Sequence, residues 1–281
     1  MVRLYLAAFF GFLFGPLAVL GITAFNTSPY PQVLPFEGFT LDWFARLAAD
    51  GDLTYGLRNS LRIGVLVVAL SVPLGLAGAL VMRQVYHRAR GFYYLVVVSP
   101  VLTPGVIIGI STVIFWRDLT GLTGTRFLYN GIVLTVLGQA SFISAYCMLV
   151  FLARLQRFDT ALEEAGLDLG ASHAQVFRHI LLPYLRPAVL SASALAFLSS
   201  FENYNTTTFA ILADKTLTTV LAGRVRQGTS PVLGALAVTV IAVTVLAALL
   251  YELARRRADR GREARRLVAE VAGARELAAT P

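Results

Sequence analysis

Five stretches of this 281-residue chain run for 20 residues or more without a charged side chain: 4–24, 63–82, 92–116, 127–153 and 231–251. An α-helix rises about 1.5 Å per residue and the hydrocarbon layer of a bilayer is about 30 Å thick, so roughly 20 apolar residues span it. Inside lipid every backbone N–H and C=O must be satisfied within the protein, which leaves the helix as the element for runs of this length. A sixth apolar stretch starts at Ala188 and is interrupted by Glu202. It is too long and too apolar for a loop and counts as a span. The expected fold class is an all-α membrane protein with six transmembrane helices. Run 4–24 is longer than the roughly 7–15 apolar residues of a secretory signal, so an uncleaved helix is expected.

Composition agrees. The chain is 57% hydrophobic and 14% charged, where a soluble domain carries about 25% charged residues. That excludes an ordinary soluble enzyme. One cysteine, Cys147, excludes an internal disulfide framework, and with three histidines it makes a zinc site improbable. The net charge of +8 comes from 24 basic residues, all arginine except Lys215. With the N-terminus in the cytoplasm, 16 of them fall on the inner side: Arg3, Arg83, Arg88, Arg90, Arg154, Arg157, Arg178, Arg186 and eight between Arg255 and Arg275. The outer side holds Arg46, Arg58, Arg62, Arg117, Arg126, Lys215, Arg224 and Arg226. This bias favours both termini inside, although half of the inner count comes from the tail. Because acids (Asp259, Glu263, Glu270, Glu276) interleave the tail arginines just past a span, a solvated, lipid-facing helix is expected there, with no nucleic-acid partner.

Three regions follow. Residues 1–56 hold the first span and a long outer loop, expected to be a surface linker with one short interfacial helix near residues 41–49. Residues 57–251 are the transmembrane core, and 252–281 the Arg-rich tail. No internal repeat is evident. Pro100, Pro104 and Gly105 lie together in the third span and predict a bend there.

The most informative segment is loop 154–187. Asp159 and Thr160 can cap a short helix whose first turn holds Glu163 and Glu164, where the helix dipole favours acids. Gly170 supplies the turn that ends it. Ser172 can cap a second helix over 174–180, which Pro183 and Pro187 are expected to terminate. Val176, Phe177 and Ile180 share one face of that helix. A compact helix-turn-helix of this kind reads as a docking element for a soluble partner.

Glu164-Ala165-Gly166, then three residues, Gly170, nine residues, Ile180, one residue and Leu182-Pro183 resemble the loop signature of permease subunits of binding-protein-dependent ABC importers. Gly166 stands where that pattern has a second alanine, and is expected to loosen the first helix by about 1 kcal/mol. Leu217-Thr-Thr-Val, Arg226-Gln-Gly228-Thr-Ser-Pro231 and Gly234-Ala-Leu resemble the polyamine (spermidine/putrescine) branch of those permeases. The resemblance implies the type I importer fold in a bacterial cytoplasmic (inner) membrane. It implies a second permease, two ATPase subunits and a soluble substrate-binding protein as partners. By that likeness Glu163, Glu164, Ala165, Gly166, Gly170, Ile180, Leu182 and Pro183 make up the ATPase-coupling loop, with Glu164 and Gly170 at the ATPase contact and Ile180, Leu182 and Pro183 holding the second helix against the membrane core. ATP and Mg belong to the partner subunits. No G-x-x-x-x-G-K-[ST] occurs here, since the only lysine, Lys215, follows Asp214. The chain carries no nucleophile-base set, no metal site and no cofactor of its own, and is not itself an enzyme.

Glu202 is the remaining candidate. Counted from Ala188 it lies about 21 Å into the span. An acid at that depth costs on the order of 2.5–3.5 kcal/mol, which is tolerable against a polar cavity. With Asn203, Tyr204, Asn205 and Thr206 it is expected to line a translocation path. The alternative is that the span ends near Phe201 and leaves Glu202 in a solvated loop. An acidic path suits a cationic solute, and polyamines lead, with thiamine, ferric iron and phosphonates as other solutes of the class. A secondary transporter and a non-transporting membrane assembly subunit are the rivals from other classes.

Overall fold

A computed structural model describes the backbone of residues 1–278 and all side chains there except those of Arg126, Ala254 and 257–278. The expected lipid-facing placement of the tail arginines therefore lies largely outside the described residues. Among the described residues, six helices are long and apolar enough to cross a membrane. The described chain forms two compact units, Asp50–Gln227 and Met1–Ala49 with Gly228–Pro281.

In the terminal unit, α1 (Val2–Thr23) and α2 (Asp42–Ala48) each pack on α12 (Pro231–Ala278). The segment between α1 and α2 is more than a linker. The Asn26 side chain is fully buried, accepts from the N–H groups of Ser28 and Glu37, and donates to the carbonyls of Gln32 and Pro35. The Trp43 indole N–H donates to the Asn26 carbonyl at 2.7 Å. One buried asparagine thus closes a loop that would otherwise leave polar backbone groups unsatisfied.

The larger unit is built on α3 (Gly51–Gln84), 34 residues long and so about 51 Å from end to end. It packs along α6 (Gly131–Leu155) and α9 (Leu182–Phe201), enclosing Ile63, Val67, Ile143, Met148, Phe151 and Leu185. Between them in sequence lie α4 (His87–Leu102) and α5 (Gly105–Thr123). The expected third span over 92–116 is therefore two helices, a break sharper than the bend predicted. Thr103 and Pro104 are both extended, with ψ of 131° and 130°. Proline pushes the residue before it out of the helical region, and the ladder stops there. The membrane-length element moves to α5.

Loop 154–187 holds α7 (Ala161–Asp168) and α8 (His173–Val176). The chain then passes through a π-turn over Phe177–Leu181 directly into α9. Pro183 and Pro187 do not terminate the second helix; both lie within α9. The widened turn immediately before Pro183 relieves the clash its ring makes with a carbonyl one α-turn back. After α9 come α10 (Thr207–Ala210), against α5 and α6, and α11 (Leu217–Gln227), against α3.

Candidate functional site

The loop is assembled from local signals. The Ala161 N–H bonds to the Asp159 carboxylate at 3.0 Å. The α7 helix closes with the N–H of Gly170 on the Leu167 carbonyl and that of Ala171 on the Gly166 carbonyl, the paired bonds of a Schellman end. Gly170 sits at φ +85°, in the left-handed region that an added side chain resists. Ser172 and Gln175 then form a reciprocal capping box on α8. Arg154 and Tyr184 tie the two ends of the loop: the guanidinium lies 4.2 Å from the ring centre and donates to the Tyr184 carbonyl, while the tyrosine hydroxyl donates to the Arg154 carbonyl.

The loop has an inner and an outer face. Val176 and Leu181 are buried, Ile180, Leu182 and Pro183 are half-buried, and Leu185 continues into the core. Leu181 is the strongest anchor, and sequence spacing missed it because it lies between the two residues of the motif that were singled out. Gly166 tucks against the second helix: a Cβ there would meet Ile180 Cδ1 at 2.9 Å and Val176 Cγ2 at 3.2 Å. Outward stand Glu164, Ala165, Leu162 and Leu169, the last 89% exposed. Glu163 turns the other way and pairs with Arg83 of α3.

The polar cluster after α9 is not helical as a whole. The helix ends at Phe201, with Glu202 as its C-cap. The chain then turns back into the protein, burying Thr206 and Thr207 completely. Asn203 organises the turn: its side-chain oxygen accepts from the N–H groups of Thr206 and Thr207 and from the Thr207 hydroxyl. Gln139 of α6 donates to the Thr207 hydroxyl and accepts from that of Ser200. Gln139, the one carboxamide inside α6 in a 27-residue uncharged run that otherwise holds only the helix-capping Asn130, was the available sequence signal for that bridge. Two glycines make the close approach possible: a Cβ on Gly109 would lie 2.6 Å from the Thr206 carbonyl oxygen, and one on Gly131 would overlap the carbonyl of Ile211.

Glu202, Asn203, Tyr204 and Asn205 line a cleft of about 340 Å³ together with Phe142, Tyr146, Leu195 and Ser199. Thr206 lies behind it, buried. Among the described residues the Glu202 carboxylate makes no hydrogen bond or ion pair, and it is exposed to the cleft. The last carbonyls of α9 add the negative end of its dipole to the same place. The aromatic walls contributed by α6, which sequence reasoning did not single out, offer ring faces to a cation. Arg226 donates to the Tyr204 hydroxyl at 2.8 Å and contributes the opposite charge to that rim. Carboxylate, helix end and aromatic faces together suit an organic cation. Among the described residues no group of three or more His, Cys, Asp or Glu side chains could hold a metal ion.

Beyond the cleft, α11 is latched to the start of α3. Arg224 grips Asp50 through two contacts of 2.7 and 2.8 Å, and Lys215 reaches Asp52 at 3.0 Å. Asp50 also caps α3 through the Leu53 N–H. The Arg224 guanidinium holds the Asp50 carboxyl below its ordinary value of 3.8, against the opposing effect of burial. A lowered folded-state value means that the paired, ionised form adds stability above that ordinary value, and the contribution is lost as pH falls through the folded value. Asp50→Asn keeps a capping oxygen and loses the pair. It should lower thermal stability by about 1 kcal/mol at pH 7. The gap to wild type should close only below about pH 3.8, and an unchanged gap in acid would detach it from this carboxylate.

Residues 71–260 match the family model described as "binding-protein-dependent transport system inner membrane component". The putrescine transport system permease protein PotI of Escherichia coli K12 is 29% identical, with 92% of each chain covered. The spermidine/putrescine transport system permease protein PotC of the same strain is 23% identical over 92% of this chain and 94% of its own. Among solved structures, a bacterial ABC transporter involved in the import of the acidic polysaccharide alginate superposes with a TM-score of 0.67 at 20% identity, covering 89% of this chain and 91% of that one. An amino acid ABC transporter with histidines does so with a TM-score of 0.53 at 19% identity, covering 78% and 100%. Six apolar helices, a capped loop of short helices between α6 and α9 and a family match over most of the chain lead to one assignment: the chain belongs to the family of inner membrane components of binding-protein-dependent transport systems, as a multi-pass bacterial inner membrane protein.

Proposed function

We propose that this chain is one of two permease subunits of an ATP-driven importer, with both termini and loop 154–187 in the cytoplasm. The loop contacts a separate ATPase subunit, which binds ATP and Mg. The cleft at Glu202 forms part of the substrate path, and a soluble binding protein delivers a polyamine-like cation from outside. The observation that carries the coupling role is the division of the loop into two faces. Val176, Leu181 and Leu185 anchor it, and Glu164, Ala165, Leu162 and Leu169 are left outward on a rigid, doubly capped support. The unpaired Glu202 beside Tyr146 and Phe142 supports the cationic substrate, as do relatives named for putrescine and spermidine transport.

Copurification from mild detergent tests the assembly: the tagged chain should bring down a second permease and two copies of an ATPase. Glu164→Arg should reduce the retained ATPase at least ten-fold, since reversing a charge in a docked interface costs more than the roughly 1.4 kcal/mol that a factor of ten represents, while membrane insertion stays unchanged. A chain that transports without any ATPase would point to a secondary transporter. Full ATPase retention by the variant would remove Glu164 from the contact.

A further inference from the structure

We infer that the adjacent glutamates of α7 have opposite jobs, and that Arg83 and Glu163 form a strap that makes α7 move as one body with α3. This rests on the proposed coupling role of loop 154–187. The Arg83 guanidinium faces Glu163 as a fork, with each terminal nitrogen 3.2 Å from a different carboxylate oxygen. The two side chains are 26% and 25% exposed, so the pair is better shielded than a surface pair such as Arg117 with Asp118, where both side chains are 61% exposed. The guanidinium also stands 5.7 Å from the Phe158 ring centre, at the hinge that leads into α7. Arg90 of α4 in turn donates to the carbonyls of Arg83 and Val85, fixing the end of α3 from which the strap projects.

Among the described residues, the side-chain hydrogen bonds that reach α7 from another helix all come from Arg83; the one other, from the Ala161 N–H to the Asp159 carboxylate, is local to its first turn. The eight-residue helix is otherwise held through its two turns and its packing on α8 and the π-turn. A lever hinged at both ends loses displacement to its hinges. A two-point ionic fork to a 34-residue helix removes that freedom in a way a single point charge does not, because the planar geometry resists rotation. Glu164, one residue on, is exposed and makes no side-chain hydrogen bond or ion pair among the described residues. Glu163 therefore acts as a positioning residue and leaves the docking contact to its neighbour.

The test uses the assembled transporter in proteoliposomes, with substrate transported per ATP hydrolysed as the readout. Glu163→Gln and Arg83→Lys should insert normally and retain the ATPase, yet transport roughly five-fold less per ATP, the effect of losing about one such pair. The exchanged pair Arg83→Glu with Glu163→Arg should recover more than half of the loss. Wild-type transport per ATP in both single variants would overturn the strap, and so would an exchange no better than the singles. Loss of bound ATPase from Glu163→Gln without rescue by the exchange would overturn it too, placing Glu163 in the docking contact. A wild-type chain that retains no ATPase would overturn the coupling reading beneath it.

Discussion

Gly75→Val should leave almost no correctly packed protein in the membrane. A Cβ at Gly75 would lie 2.8 Å from both the Met148 nitrogen and the Ser144 carbonyl oxygen and would overlap the Cβ of Cys147. These are largely backbone atoms of α6, which cannot step aside as a side-chain tip can. The clash falls where α3 and α6 cross within the main core. Overpacking costs about 1–3 kcal/mol and more when backbone must move, whereas removing a helical glycine gains about 1 kcal/mol of propensity. The clash wins, and a two-carbon branch makes it worse. Gly11 provides the control: nothing lies within 4 Å of its added Cβ, so Gly11→Ala should match wild type or gain slightly. Thermal unfolding of detergent-purified protein, with quantification of the inserted fraction, decides the matter. A Gly75→Val protein with wild-type yield and melting temperature would show that α3 and α6 are not this close.

The helices themselves could be read from the sequence because lipid allows so few alternatives; counting uncharged residues reached the number six, although the third expected span falls on two helices and its membrane-length element is α5. What escaped was set by contacts between segments distant in the chain. Pro104 announced a distortion, but whether it bends or divides a helix depends on Thr103 becoming extended. Pro183 looked like a terminator because an α-helix offers it no place, and the π-turn that accommodates it has no short-range signature. Gly166 is the most instructive case. By propensity alone, alanine there should stiffen α7 by about 1 kcal/mol. In the fold its missing Cβ is the space filled by Ile180 and Val176, so the departure from the family pattern matches a close approach of the two loop helices.

The same limit applied to the charges. Sequence spacing placed Glu163 and Glu164 together in one first turn, and the helix dipole explains both equally well. Only the position of Arg83, 80 residues earlier, separates them. The 34-residue α3 thus carries charge contacts at both ends, Asp50 and Asp52 to Arg224 and Lys215 at one and Arg83 to Glu163 at the other. A single helix, with Pro73 inside it, runs from the segment that follows the cleft to the loop proposed to meet the ATPase.

Glu202→Lys should abolish transport while leaving the assembly intact. The residue is the exposed C-cap of α9, it has no partner to lose among the described residues, and its substitution removes no packing from the core. Folding should therefore be affected little. In the proposed substrate path, transport should depend instead on the charge met by the solute. A lysine ammonium about 5 Å from a cationic solute, at an effective dielectric of about 20, repels it by roughly 3 kcal/mol. That corresponds to about two orders of magnitude in rate. Glu202→Gln, which keeps the shape and cancels the attraction, should fall between the lysine variant and wild type. Uptake of a labelled polyamine into proteoliposomes, normalised to transporter content, reads both. Graded loss from glutamate through glutamine to lysine is the signature of charge acting on a cation in the cleft. Equal uptake in all three would remove Glu202 from the path, and wild-type uptake in the glutamine variant with loss only in lysine would show that the negative charge of the carboxylate does not draw the solute.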